Sequence, residues 1–197
     1  MDHRRLRELM APELPAGLLA HIDRVATLAG ELAEQHGLDE RRTLLAAQGH
    51  DLLRALEPAE LLRRAEARGL EIDPVERAEP VLLHGPLGAL ELHERFGIED
   101  EQVLHAIRWH TSGHPNFDKE AWAFFVADKL EPEKLSRWPA LRPALDLAQR
   151  SLPAAALAYL ELSIERGLRE RWQPHPMAAR ARNALLGSDG RWETARQ

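Results

Sequence analysis

The stretch from Gly49 to Leu56, GHDLLRAL, sets the adjacent titratable pair His50 and Asp51 inside a run that otherwise reads as a buried, leucine-rich helix. Other titratable residues stand on apolar stripes in the same way. In the segment opening at about Leu18, the residues Leu18, His21, Val25, Leu28 and Leu32 step by three or four, so His21 occupies the stripe itself and points inward. Val103, Ile107 and His110 share one helical face, while His105 lies roughly opposite Val103. Asp128 follows Ala121, Phe124 and Phe125 at helical spacing, His50 follows Ala46 and Ala47, and His84 comes three residues after Val81. One such histidine alone is ordinarily a core residue bonded to a backbone carbonyl. Six inward groups are a different matter, because each left unpaired costs on the order of 1–3 kcal/mol. A shared cation would satisfy them together. With no cysteine in the chain, the metal must be held by imidazole and carboxylate, a set suited to iron, manganese, cobalt, nickel or zinc.

Elements that would position these groups follow from composition and punctuation. Leucine and alanine dominate the periodic segments and no stretch alternates with period two, which predicts an all-α, single-domain helical bundle. Breaks are expected at 36–40, 56–60, 68–74, 84–88, 96–101, 110–118, 130–139 and 172–176, several with Pro at a first helical position or Gly after a last one. Residues 1–17 read as a lead-in, 18–186 as the domain and 187–197 as a loose tail. At 197 residues, 44% hydrophobic, the chain is long enough for one well-packed core. The formal net charge of -6 argues against a nucleic-acid partner held by counterion release. The amino terminus has charges and no apolar core of a secretory signal, and the longest apolar stretch is too short for a bilayer, so a soluble cytoplasmic protein with no membrane partner is expected.

The order His21, then His50-Asp51, then a distant Asp128 resembles the H…HD…D signature of HD-domain metallophosphohydrolases. The flanking text is more specific. HGPLGAL, AIRWHTSGHP, VADKLEP and HPMAARARNALL, in that order, resemble the YqeK-type subgroup, known as symmetrical diadenosine tetraphosphate hydrolases, which split that dinucleotide into two ADP. The resemblance spans roughly Leu18 to Leu186. It implies that His21, His50, Asp51 and Asp128 are the core metal ligands, and that His84 and His110 build a second metal position or face the phosphates. Iron is the metal it implies, and a homodimer is compatible with it.

Such chemistry needs a nucleophile at neutral pH, and a metal lowers the pKa of bound water from about 16 toward 7. Asp51 is the natural bridge between two ions, and Asp51, Arg54, His84 and His110 are the expected catalytic group. Arg54 stands where the family commonly has lysine and is expected one helical turn beyond His50; Lys129 stands where a tyrosine is common. Arg54, Arg108, Lys129, Lys134 and Arg137 are the cations nearest the ligands in sequence, with His114 and His175 as further substrate contacts. Trp109 and Trp172 could stack on adenine. His3, His36 and His93 read as surface or cap residues. Two other readings stay open: an HD hydrolase acting on a different nucleotide, and a non-catalytic module stapled by its metal.

Overall fold

Helix after helix fills the chain in a computed structural model that describes residues 1–188. Among these residues there are twelve α-helices and no strand. They are α1 (His3–Met10), α2 (Ala16–His36), α3 (Glu40–Gly49), α4 (Pro58–Ala67), α5 (Pro74–Ala78), α6 (His84–Phe96), α7 (Glu101–Trp109), α8 (Lys119–Leu130), α9 (Pro132–Arg137), α10 (Arg142–Ala148), α11 (Leu152–Glu170) and α12 (Pro176–Ser188). Short 3-10 turns at Ala11–Glu13, Pro80–Leu83 and Pro139–Leu141 link some of them.

Local chemistry explains most boundaries. Asp39, Asp100 and Asp118 stand before α3, α7 and α8 and accept from backbone N–H groups of the first turn, satisfying donors that have no partner inside the helix. Pro at a first helical position opens α4, α5 and α9, where the missing N–H costs nothing.

Helix α8 is the axis of the packing. All ten residues from Ala121 to Leu130 are buried, with α2, α3 and α11 laid against it, so it carries no polar face. Such a helix must supply its own partners for any charge it holds, and it holds Asp128 and Lys129.

Four sequence expectations change here, one being the break at 84–88, which falls inside α6, where Gly85 and Pro86 occupy a first helical turn that tolerates proline. The segment read as a lead-in contains α1, whose Leu6 and Met10 are fully buried and which packs on α3; their i, i+4 spacing makes an apolar stripe that belongs to the core. Helix α12 runs through Ser188, past the expected start of the tail at 187, and the rest of that tail, 189–197, lies outside the described residues. Helix α3 stops at Gly49, and residues 50–56 continue as i to i+3 turns, with Leu52, Arg54 and Leu56 donating to the carbonyls of Gly49, Asp51 and Leu53. The cause is the imidazole: the Ala47 carbonyl, which a continuing α-helix would offer to the Asp51 N–H, accepts from His50 Nδ1 at 2.8 Å.

Candidate metal centre

Three of the site histidines share one local device. His50 follows α3, His110 follows α7 and His84 follows the 3-10 turn Pro80–Leu83, each at the cap of a helical segment whose last carbonyls lack partners. Each ring turns Nδ1 back to the carbonyl three residues earlier: His50 to Ala47 at 2.8 Å, His110 to Ile107 at 2.7 Å, and His84 to Val81. Donation of Nδ1–H to a carbonyl fixes the tautomer and leaves Nε2 as a lone pair aimed inward. His21 reaches the same place from the middle of α2, with Nδ1 3.5 Å from Glu131 Oε1.

Close backbone packing brings two of these caps together. A Cβ on Gly85 would lie 2.8 Å from the Arg108 carbonyl and 3.1 Å from that of Ile107, so only glycine lets the start of α6 rest on the end of α7. His84 Nε2 and His110 Nε2 are thereby 2.9 Å apart.

The inward nitrogens converge on two carboxylates. Asp51 Oδ2 lies 3.7 Å from His21 Nε2 and 3.4 Å from His50 Nε2, whereas Oδ1 lies 3.1 Å from His84 Nε2 and 3.6 Å from His110 Nε2. Asp128 Oδ1 completes the first group, 3.4 Å from His21 and 3.7 Å from His50. His21 is part-exposed, and the other five are buried. Within this geometry, His21, His50 and Asp51 form one ligand-spaced set, His50, His110 and Asp128 a second, and Asp51, His84 and His110 a third.

The donor chemistry fits a metal. Once Nδ1 carries the proton, every Nε2 faces an acceptor oxygen or another Nε2, and His50 Nε2 is buried with no hydrogen-bond partner among the described residues. A proton relieves one such pair, but a cation relieves several at once. All seven candidate donor atoms, from six residues, are imidazole nitrogen or carboxylate oxygen, a set for a divalent transition metal.

Electrostatics follow the same crowding. Burial alone would raise the Asp51 carboxyl, but the charge of His50 and the contacts of His110, His50 and His84 hold it well below the ordinary carboxylate range. Asp128 is likewise held well down against burial by Lys129, Lys134, His21 and His50. Burial pushes His110 down to about 3. His50 is raised, because Asp51 and Asp128 outweigh its desolvation.

The surrounding cations divide into two kinds. Lys129, expected to meet substrate, is buried beneath Phe125 and Tyr159 with Nζ 2.7 Å from Asp128 Oδ2, so it holds that carboxylate and is not free for a phosphate. Lys134 is part-exposed and donates to Asp128 Oδ1 at 2.6 Å and to the Asp128 carbonyl at 2.7 Å. Arg137 is exposed and pairs with Glu133. Arg54 does not leave a helix in phase with His50; it stands on the turns after α3, exposed, its side chain without a partner among the described residues. Arg108 lies with its guanidinium 5.2 Å from the centre of the Trp109 ring. His114 Nδ1 accepts from the Asn116 N–H at 3.1 Å and faces His105 Nε2 at 3.1 Å, so His105 is half-buried and paired, not turned to solvent. His175 caps α12 through the Met177 N–H at 3.1 Å, with Nε2 3.7 Å from Glu76. Of the histidines read as surface or cap residues, His93 is exposed and donates through Nδ1 to the Ile98 carbonyl beyond α6, while His36 ends α2 and donates through Nε2 to the Ala148 carbonyl.

Sequence reasoning missed Glu131 and Arg24. Glu131 is fully buried, caps α9 through the Glu133 and Lys134 N–H groups, faces His21 and is clamped by Arg24 Nε at 2.7 Å. This carboxylate orients the one site imidazole that has no carbonyl to hold it. The signal was present in the spacing: Arg24 is three residues from His21, and Glu131 is three from Asp128 and directly before Pro132.

Comparison with known proteins gives the family and the fold. The family model described as HD domain matches residues 18–133. A protein of Halalkalibacterium halodurans named bis(5'-nucleosyl)-tetraphosphatase, symmetrical, is 30% identical over 186 residues, 94% of this chain and 98% of that one. A Bacillus subtilis protein of the same name is 33% identical over 137 residues, 70% of this chain and 72% of that one. The crystal structure of a predicted HD superfamily hydrolase involved in NAD metabolism from Clostridium acetobutylicum superposes with a TM-score of 0.87 at 24% identity, covering 95% of this chain and 98% of that one, and shows the shared fold.

Proposed function

This chain belongs to the HD-domain family, and on that premise we propose that it hydrolyses diadenosine tetraphosphate symmetrically, releasing two ADP. Relatives that carry that name match 94% and 70% of the chain, which supports the substrate class. One observation carries the assignment to this site: Asp51 turns each carboxylate oxygen to a different pair of histidines, the arrangement of a bridge between two ions.

His21, His50, Asp128 and Asp51 Oδ2 would hold one divalent ion, and His84, His110 and Asp51 Oδ1 a second; we infer that iron is the metal, with manganese, cobalt, nickel and zinc compatible with the same donors. When bound, ions of this kind supply Lewis acidity to a phosphoryl oxygen and acidify water. The protein's own groups do the rest. The backbone carbonyls of Ala47, Val81 and Ile107 keep three imidazoles in one tautomer, and Glu131 with Arg24 steadies the fourth. Lys129 on Oδ2 keeps Asp128 ionised, and Oδ1, which accepts from Lys134, is the oxygen turned toward His21 and His50. Four phosphates must be met by cations, and Arg54, Arg108 and Lys134 are the reachable ones, with His114 and His175 as polar contacts.

In balance, one water adds its oxygen to the phosphorus on one side of the central bridge, the central phosphorus–oxygen bond breaks, and the two ADP leave with the water's protons shared between phosphate and solution. The reading places this activity in residues 18–186, in the cytoplasm, with no nucleic-acid or membrane partner and with a homodimer compatible. No helix among the described residues is long and apolar enough to cross a membrane.

Incubating the metal-analysed protein with diadenosine tetraphosphate and resolving the products by chromatography tests the proposal. ADP as the sole nucleotide product is expected. ATP with AMP, or orthophosphate, would overturn it.

A further inference from the structure

Two cavities of about 600 and 410 Å³ lie on either side of His175, both within the roughly 300–1,000 Å³ of small-molecule sites. Both are also lined by chain neighbours of the second group of ligands. Leu82 lines the larger and Leu83 the smaller, just before His84; Thr111 lines the larger and Trp109 the smaller, on either side of His110. His84 and His110 are thus chain neighbours of both linings, and His175 lines both cavities.

Their linings repeat one chemistry. The larger offers Trp172, 43% exposed, with its indole packed on Gly167, where a Cβ would meet the ring at 3.1 Å. Arg171 before it adopts φ 59, a conformation uncommon for a residue with a Cβ, which turns the chain out of α11 and into the cavity wall. The smaller offers Trp109, half-buried, with Arg108 on its ring and Arg180 opposite on α12. Each cavity therefore has one indole to meet an aromatic base and at least one guanidinium to meet an anion. A large apolar surface left open inside a cavity marks a ligand surface more than a core.

We propose that each cavity takes one nucleoside of the dinucleotide, so that a single chain carries two ADP sites, one on Trp172 and one on Trp109, with the tetraphosphate bent past His84 and His110 between them. This rests on the substrate reading above and deepens it, since a substrate with two identical halves needs two matching subsites.

Equilibrium dialysis of the metal-loaded full chain against labelled ADP decides the matter. Two ADP per chain are expected. Met177→Trp, which fills the smaller cavity, and Arg180→Glu, at an exposed position where folding is not at risk, should each weaken one of the two sites by about tenfold or more, the scale of losing a charge-assisted contact. If thermal melts show Met177→Trp to be unfolded, Arg180→Glu alone carries the test. One ADP per chain in the wild type, or two undiminished sites in a folded variant, overturns the inference. Failure to release ADP from diadenosine tetraphosphate instead overturns the activity while leaving the counted stoichiometry as it is measured, so the two failures are distinguishable.

Discussion

Asp51 is the one carboxylate that faces all four imidazoles, and replacing it by alanine leaves a cluster of lone pairs with no balancing charge between the two groups. Asp51→Ala should lose bound metal and turnover together, read by elemental analysis beside product chromatography; full metal content with full rate would remove Asp51 from the site. Arg54 calls for a different readout, because it is exposed and its side chain has no hydrogen-bond or ion-pair partner among the described residues. Arg54→Ala should lower kcat by roughly 10²–10³-fold, the scale of one preorganised donor, at unchanged metal content, and Arg54→Lys should recover much of it. Equal rates in all three proteins would make it a surface charge. The histidines and aspartates of the site were legible because helical periodicity alone put them on apolar stripes. Glu131 and the engagement of Lys129 were not, since both depend on which side chains meet across helices, and the phase of Arg54 was lost to a ring-to-carbonyl bond that no propensity encodes.

At the scale of elements, most helix breaks were legible because Pro, Gly and Asp mark them chemically, but the Gly and Pro at 85 and 86 open α6 and do not interrupt the chain there, and α1 was hidden by the Pro- and Gly-containing stretch that follows it. The junction of α6 and α7 turns on Gly85. Gly85→Ala drives a methyl into backbone carbonyls that cannot swing away, so a loss of about 1–3 kcal/mol and a lower metal content are expected, measured by denaturant melts and metal analysis. Gly17→Ala on α2 has open space and should be neutral or stabilising by up to about 1 kcal/mol. If both variants melt alike, the close approach of α6 to α7 is not what holds the second histidine pair.

For the whole molecule, acid and chelation act on the same groups. Burial, with the charges of His105, Arg108 and Arg180, holds His114 down to about 4 in the fold against an ordinary value of 6.5. Above 6.5 the ring is neutral folded or unfolded and contributes nothing to pH dependence. Between 6.5 and about 4 the unfolded chain takes up the proton and the folded one does not, so stability falls as pH falls. His114→Gln should therefore show a shallower drop in Tm between pH 7.5 and 5 than the wild type, both stripped of metal; parallel slopes would deny the shift. Chelation of the wild type at pH 7.5 should lower Tm without unfolding it at room temperature, because the apolar core extends well beyond the site. A melt unchanged by demonstrated loss of metal would contradict the ligand set.

The Lys134 ammonium sits 2.6 Å from the same Asp128 oxygen that the first ligand group presents. It is in effect a tethered competitor, present at a fixed local concentration on the order of millimolar whatever the bulk solution holds. A divalent ion held there would compete with that ammonium, and an ammonium displaced from the oxygen would be free to meet an anion. Metal loading and anion affinity would then be one linked equilibrium, and the chelated chain is expected to bind phosphate more weakly than the loaded one.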